Sequence, residues 1–257
     1  LDYVDFYVLH HGRLEKSYHL GDRKNFAERP LNTRYFAFDH DFTPEISEVF
    51  VRIETPDTMV LPIYLMPLDQ AREQEKVQDF SYGFLYGFLL ALMIYNIMLY
   101  FGLKDTRYIL YSLYLGMFVL MNVSYTGYGF QWLWPQNTLW EQWSIPIFMT
   151  LFGASGLVFA MRFLEIGKHY PRLCKSIPYF LGAVALLMSL AIVFSAHYLA
   201  LILAFGFVFL FIGLMMTLGA MTLRTEDVFS RYFLLATFFA MSGALITTLA
   251  TLSLIHI

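Results

Sequence analysis

From Ser176 to Leu223 the chain carries no Lys, Arg, Asp or Glu. A run of that length excludes the interior of an ordinary soluble domain, where helices are shorter and alternate with charged turns. A helix needs about 20 largely apolar residues to cross a hydrocarbon core about 30 Å thick. Six segments are predicted to do so, at 82–101, 108–125, 144–161, 177–194, 198–222 and 232–252. Composition agrees, since 14% of the residues are charged, against roughly 25% in a soluble domain. The lipid bilayer is therefore an expected partner.

The distribution of charge sets orientation. Eight of the 17 Lys and Arg lie beyond residue 80. They fall in three places: Lys104 and Arg107; Arg162, Lys168, Arg172 and Lys175; Arg224 and Arg231. The alternate connections, near 126–143 and 195–197, and the tail after 252 have none. Basic loops stay in the cytoplasm, so the N-terminal segment is expected outside. An acidic outer part and a basic inner part sum to a net charge of −3. That small value carries no message about nucleic acid, and none is expected as a partner. Six spans from an outer start return the C-terminus to the outside. With Leu1 in place of a starting Met and an apolar ending at Leu254-Ile255-His256-Ile257, the chain is expected to be a fragment, any signal peptide lying upstream. Cys174, the only cysteine, falls in the most basic loop on the reducing side, so no disulfide is expected.

Three regions follow: a partial extracytoplasmic β-sandwich at 1–67, a juxtamembrane stalk at 68–81 and a transmembrane helical bundle at 82–257. Val4, Phe6 and Val8 alternate onto one face, a turn follows at His10-His11-Gly12, and 14–19 returns as a hairpin. His10 and His11 are expected on opposite faces of the strand. Further strands are predicted at 34–38, 48–54 and 59–65. Thr55-Pro56-Asp57-Thr58 is a predicted turn, and Pro62 restricts the last strand to a sheet edge. Four or five strands in so short a segment bury little apolar area, so further strands are expected upstream of Leu1. The stalk carries Glu73 and Lys76 at helical spacing and is expected to be a short helical or irregular link.

All four tryptophans, Trp132, Trp134, Trp140 and Trp143, lie in or beside the second outer connection with Tyr125, Tyr128 and Phe130. Tryptophan favours the membrane interface, where its ring meets lipid and its N–H meets water. The same rings also stack on sugars or dock a neighbouring domain. Trp132, Trp134 and Tyr128 are the candidate ligand contacts. Gly153-Ala154-Ser155-Gly156 matches the nucleophile turn of rhomboid proteases. Its serine would need a histidine in reach, and His256 belongs near the outer face, so small residues for close helix packing are the expectation. No ionisable residue is central in any span, which removes the usual mark of an ion path or proton relay. Asn96 and Asn122 are expected to hydrogen-bond between helices. Facing histidines for haem are lacking; no metal, cofactor or catalytic residue is assigned.

The run Tyr82-Gly83-Phe84-Leu85-Tyr86-Gly87, with Ala91, Tyr95-Asn96, Leu99-Tyr100, Leu103-Lys104-Asp105 and Tyr108–Tyr111, resembles the opening of the bacterial seven-transmembrane receptors with diverse intracellular signalling modules. Gly127 and Gly129-Phe130-Gln131-Trp132-Leu133-Trp134-Pro135 continue the likeness. The outer segment is similar to the C-terminal part of that family's second type of extracellular domain in Gly21-Asp22, Phe26, Arg29-Pro30, Phe36, Phe38, Arg52 and Leu61-Pro62. The resemblance implies a jelly roll similar to carbohydrate-binding modules. It also implies seven helices, six of them in this chain, and an output domain in cis such as a diguanylate cyclase or histidine kinase.

Such a protein would be a receptor of the bacterial inner membrane, working as a homodimer and sensing an extracytoplasmic small molecule or carbohydrate in the periplasm. Gly83, Gly87, Asn96 and Asp105 match the family pattern and are the candidate signal-transmission residues. The alternative is a transporter or membrane-embedded enzyme for a neutral or lipidic substrate, neither of which needs buried charge.

Overall fold

The computed structural model describes residues 1–42, 46–55, 61–222 and 232–239. Apolar alternation builds the first elements. β1 (Tyr3–His10) and β2 (Arg13–Leu20) form a hairpin, and β3 (Ser47–Glu54) pairs with the other side of β1, giving an antiparallel sheet of order β2-β1-β3. Val4 stands opposite Leu20 and Ile53, and Val8 opposite Lys16 and Val49. One face therefore collects the apolar side chains, and Val4, Val8, Tyr18 and Leu20 are buried there. Phe38 packs on the same face, its ring 4.6 Å from Tyr18 and 4.9 Å from Phe6. Gly21, at φ 139°, closes the end of the hairpin against Asp2. A Cβ there would stand 2.0 Å from the Asp2 carbonyl oxygen, so only glycine fits.

Two expected strands do not form. Residues 34–38 are irregular, because the side chains of Arg34 and Tyr35 hydrogen-bond to the segment that follows the sheet. Residues 61–65 are also outside any strand, and Pro62 has no N–H to offer a ladder. The first residues of that predicted strand, and most of the predicted turn at 55–58, lie outside the described residues. Among the described residues three strands form one sheet, short of the two-layer jelly roll that the resemblance implies. His10 and His11 do not point apart either. The strand ends at His10, His11 turns at φ 48°, and the two rings meet edge to face at 4.3 Å.

Helices make up the rest: α1 (Leu68–Leu103), α2 (Thr106–Tyr125), α3 (Thr138–Phe163), the single turn α4 (Ile166–His169), α5 (Pro171–Val193) and α6 (His197–Thr222). Of these, α1, α2, α3, α5 and α6 are long and apolar enough to cross a membrane. The sixth predicted span is helical at 232–239, and its remainder to 252 lies outside the described residues. The residues of the predicted stalk are helical, the first of the two forms expected, and make up the first turns of α1. α2 begins at a side-chain cap. The Asp105 carboxylate accepts the Arg107 backbone N–H at 2.9 Å and the Arg107 guanidinium at 2.7 Å, and Arg107 holds its carboxyl below the ordinary range.

The chain divides into an outer unit, Leu1–Tyr82 with Leu120–Ile145, and a membrane unit, Gly83–Val119 with Pro146–Ile257. In the membrane unit α3 is central. Of its most apolar stretch 61% is buried, against 11% for α1. Leu157, Ala160, Phe207, Phe211 and Leu218 form the middle of the core. Gly153 and Gly156 let α6 come close: a Cβ would stand 2.6 Å from the Phe207 ring and 2.7 Å from the Phe211 ring, respectively. Ser155 between them donates to the Phe152 carbonyl of its own helix at 3.0 Å, as expected of a packing segment. Asn96 departs from expectation. It is buried, but its amide donates to the Leu92 carbonyl of α1 itself at 2.8 Å. The bond from α2 to α1 comes instead from Ser112, whose hydroxyl donates to the Met93 carbonyl at 3.0 Å.

A contrast between glycines tests this packing. Gly156→Leu forces ring against side chain and loses about 1–3 kcal/mol of stability, read as a lowered melting temperature in detergent. Gly87→Leu enters open space and melts no lower than the parent. Equal melting of the Gly156→Leu variant and the parent would refute the assignment.

Candidate functional site

Two arginines in the segment between β2 and β3 organise the outer unit. Phe26–Glu28 is a single 3-10 turn that places Phe26 against the connection after α2. The Phe26 N–H donates to the Pro135 carbonyl at 3.0 Å, and its ring meets Phe130 edge-on at 5.7 Å. Arg29 follows, its side chain 5% exposed. The guanidinium lies 4.6, 4.7 and 5.5 Å from the rings of Phe26, Phe36 and Phe130. It donates to the Thr33 and Arg34 carbonyls at 3.2 and 2.9 Å and approaches Asp22 at 3.4 Å. Burial draws its pKa down, with Asp22 and Glu141 opposing. A guanidinium starts so high that it stays charged.

Arg34 sits among three tyrosines. Its guanidinium carbon is 4.7 Å from the Tyr35 ring, 4.9 Å from Tyr82 and 4.8 Å from Tyr128, the arrangement in which ring quadrupoles attract a cation. Its donors reach three different segments: the Tyr35 hydroxyl at 2.6 Å, the Thr126 carbonyl at 3.3 Å and the Gln78 side-chain oxygen. The Tyr35 hydroxyl also donates to Gln78. One turn face over, the Tyr128 hydroxyl donates to Asp79 at 2.5 Å. Burial, and then this bond to a carboxylate, raise the Tyr128 pKa well above its ordinary value. Arg34 Nε is buried without a hydrogen-bond partner. The outer segment, the first turns of α1 and the connection after α2 thus converge on one cation, all within the outer unit.

The connection itself is built to hold its tryptophans in place. Gly127 takes φ 80°, and Gly129–Leu133 winds as a π-helical turn. The Trp134 ring lies over Gly129, where a Cβ would come within 2.3 Å of it. The Trp134 indole N–H donates to Glu141 at 2.5 Å, and Glu141 is buried in the first turn of α3. Asn137 caps α3, its side-chain oxygen accepting the Trp140 N–H at 2.9 Å.

The sequence-based candidates scatter. Trp132 is 62% exposed, whereas Tyr128, its ring 4.7 Å away, is 1% exposed. Trp134 is partly buried and tied to Glu141. Gly83 and Gly87 have no atom within 4 Å of where a side chain would stand. Asn96 bonds within α1, and Asp105 caps α2. Only Tyr128 among them joins Arg34. Arg34, Gln78, Asp79 and Glu141 escaped the sequence reading as site residues. Glu141 did leave a signal, being the only acid between Asp105 and Glu165.

Comparison with known proteins yields two family models. One described as 7TM diverse intracellular signalling matches residues 78–257. Another, described as 7TMR-DISM extracellular 2, matches residues 1–67. No curated protein and no solved structure matches the chain.

Removing the central cation loosens the convergence. Arg34→Ala is expected to raise amide hydrogen exchange in residues 75–82 while leaving residues 90–100 unchanged. A cycle with Tyr128→Phe gives a coupling of about 0.5–3 kcal/mol, as for side chains in contact. Zero coupling would remove Tyr128 from the site.

Proposed function

The chain belongs to the 7TM receptors with diverse intracellular signalling, and on that premise we propose that it senses an extracytoplasmic ligand and passes the result along α1 to a cytoplasmic output module. It is a multi-pass membrane protein with an extracellular N-terminal domain and a receptor-like membrane part. The finer reading places it in the bacterial inner membrane, with a small molecule or carbohydrate as ligand and a diguanylate cyclase or histidine kinase as output.

One observation carries the transmission step. Gln78 accepts hydrogen bonds from Arg34 and Tyr35 of the outer segment, and Gln78 belongs to the same unbroken helix that enters the membrane unit. A ligand acts only through a difference in affinity between two states. In this reading the two states differ in whether Arg34 is seated among Tyr35, Tyr82 and Tyr128. The unmet Nε donor favours release, because a buried donor without a partner costs about 1–3 kcal/mol. Trp132, with its exposed ring, is the aromatic surface open to stacking on a ligand; Tyr128 and Trp134 serve the junction instead.

The test is output of the full-length protein, measured as nucleotide cyclisation or autophosphorylation. Arg34→Ala and deletion of residues 1–67 are each expected to shift basal output several-fold, while Gly87→Leu reports whether the open face of α1 takes part. Unchanged basal output in both the Arg34→Ala and the deletion variants would sink the proposal.

A further inference from the structure

The connection from α3 to α5 is rich in basic residues. Arg162, Lys168, His169, Arg172 and Lys175 are all exposed. The one carboxylate there, Glu165, pairs with Lys168. Among the described residues no carboxylate forms an ion pair with Arg172 or Lys175. Counted from an extracellular N-terminal domain through α1, α2 and α3, this connection lies on the cytoplasmic side.

Arg172 and Lys175 are three residues apart on α5, so they leave the same face, and Tyr179 follows one turn on. Tyr179 is 82% exposed. A cavity of about 300 Å³ opens beside them, lined by His169, Tyr170, Pro171, Arg172 and Leu173. The patch rests on fixed structure. Ile166 and Ile177 are buried beneath it, and the Tyr170 hydroxyl donates to the Met221 carbonyl of α6 at 3.4 Å. These cations do not serve the helix that carries them: α5 has no acid in its first turn, and positive charge at this end opposes the helix dipole.

We propose that Arg172, Lys175 and Tyr179, with His169 at the rim, bind the headgroup of an anionic phospholipid of the inner leaflet. Cations on the cytoplasmic side attract such headgroups, and a tyrosine one turn deeper stands at the level where its ring meets acyl chain and its hydroxyl meets water. The depth of Tyr179 selects lipid over a soluble partner. It lies about 12 Å along α5 from Pro171, on the wall of the helix rather than at its end. An acidic face of the output module, docking on the loop, would reach Arg172 but leave Tyr179 bare.

The experiment uses the full chain in nanodiscs of phosphatidylcholine with and without phosphatidylglycerol, and reads retained lipid by native mass spectrometry. The parent is expected to retain phosphatidylglycerol in preference to phosphatidylcholine. Each of Arg172→Gln and Lys175→Gln is expected to cut that preference about fivefold, and the double variant brings it close to parity. Arg172→Lys keeps it, which separates lost charge from lost folding, and Lys104→Gln, elsewhere on the same side, leaves it unchanged. Undiminished preference in the two Gln variants overturns the proposal. So does a loss of output with lipid retention intact, which assigns the patch to the output module.

Discussion

A peptide group in hydrocarbon has no water to bond, so every spanning segment must close its hydrogen bonds internally. That constraint explains both the helices and the behaviour of their polar side chains. Asn96, Ser124, Thr150, Ser155 and Ser189 each donate to a carbonyl of their own helix three or four residues back. Ser112 reaches from α2 to the Met93 carbonyl of α1. With these polar groups satisfied locally, shape contributes to holding the helices together. The rings of Phe207 and Phe211 fill the space that Gly153 and Gly156 leave open, and Tyr114 stacks on Phe152 at 5.0 Å.

The outer unit solves a different problem with arginine. A guanidinium is planar, permanently charged and carries donors in a fixed fork. At Arg34 those donors engage Tyr35, Thr126 and Gln78 while the guanidinium carbon lies 4.7, 4.9 and 4.8 Å from the rings of Tyr35, Tyr82 and Tyr128. Lysine, a point charge on a flexible stem, would lose that geometry. Arg29 repeats the pattern with phenylalanines and backbone carbonyls. Two arginines, Arg29 with its side chain buried and Arg34 half-buried, thus tie this small sheet to the connection after α2.

Periodicity was readable wherever local sequence decides the outcome. Alternation at Val4, Phe6 and Val8 foretold β1, and the apolar runs foretold five helices to within a few residues at most ends. It failed where a distant partner decides. Tyr35, Phe36 and Phe38 look like a strand, but Arg34 and Tyr35 are claimed by Gln78, 44 and 43 residues further on. Tyr128 and Trp134 look like exposed interfacial rings, yet their polar atoms found Asp79 and Glu141. Gly87 and Gly156 are the same residue in similar apolar helices, and only the neighbours distinguish an open face from a filled one. Composition carries none of that information.

The unbroken course of α1 has a mechanical consequence. At 36 residues it is about 54 Å long, and about 30 Å suffices to cross the hydrocarbon. The excess stands clear of the lipid as a shaft, gripped at neighbouring positions Gln78 and Asp79, which face directions about 100° apart around its axis. A grip from two directions fixes the azimuth of a rod as well as its tilt.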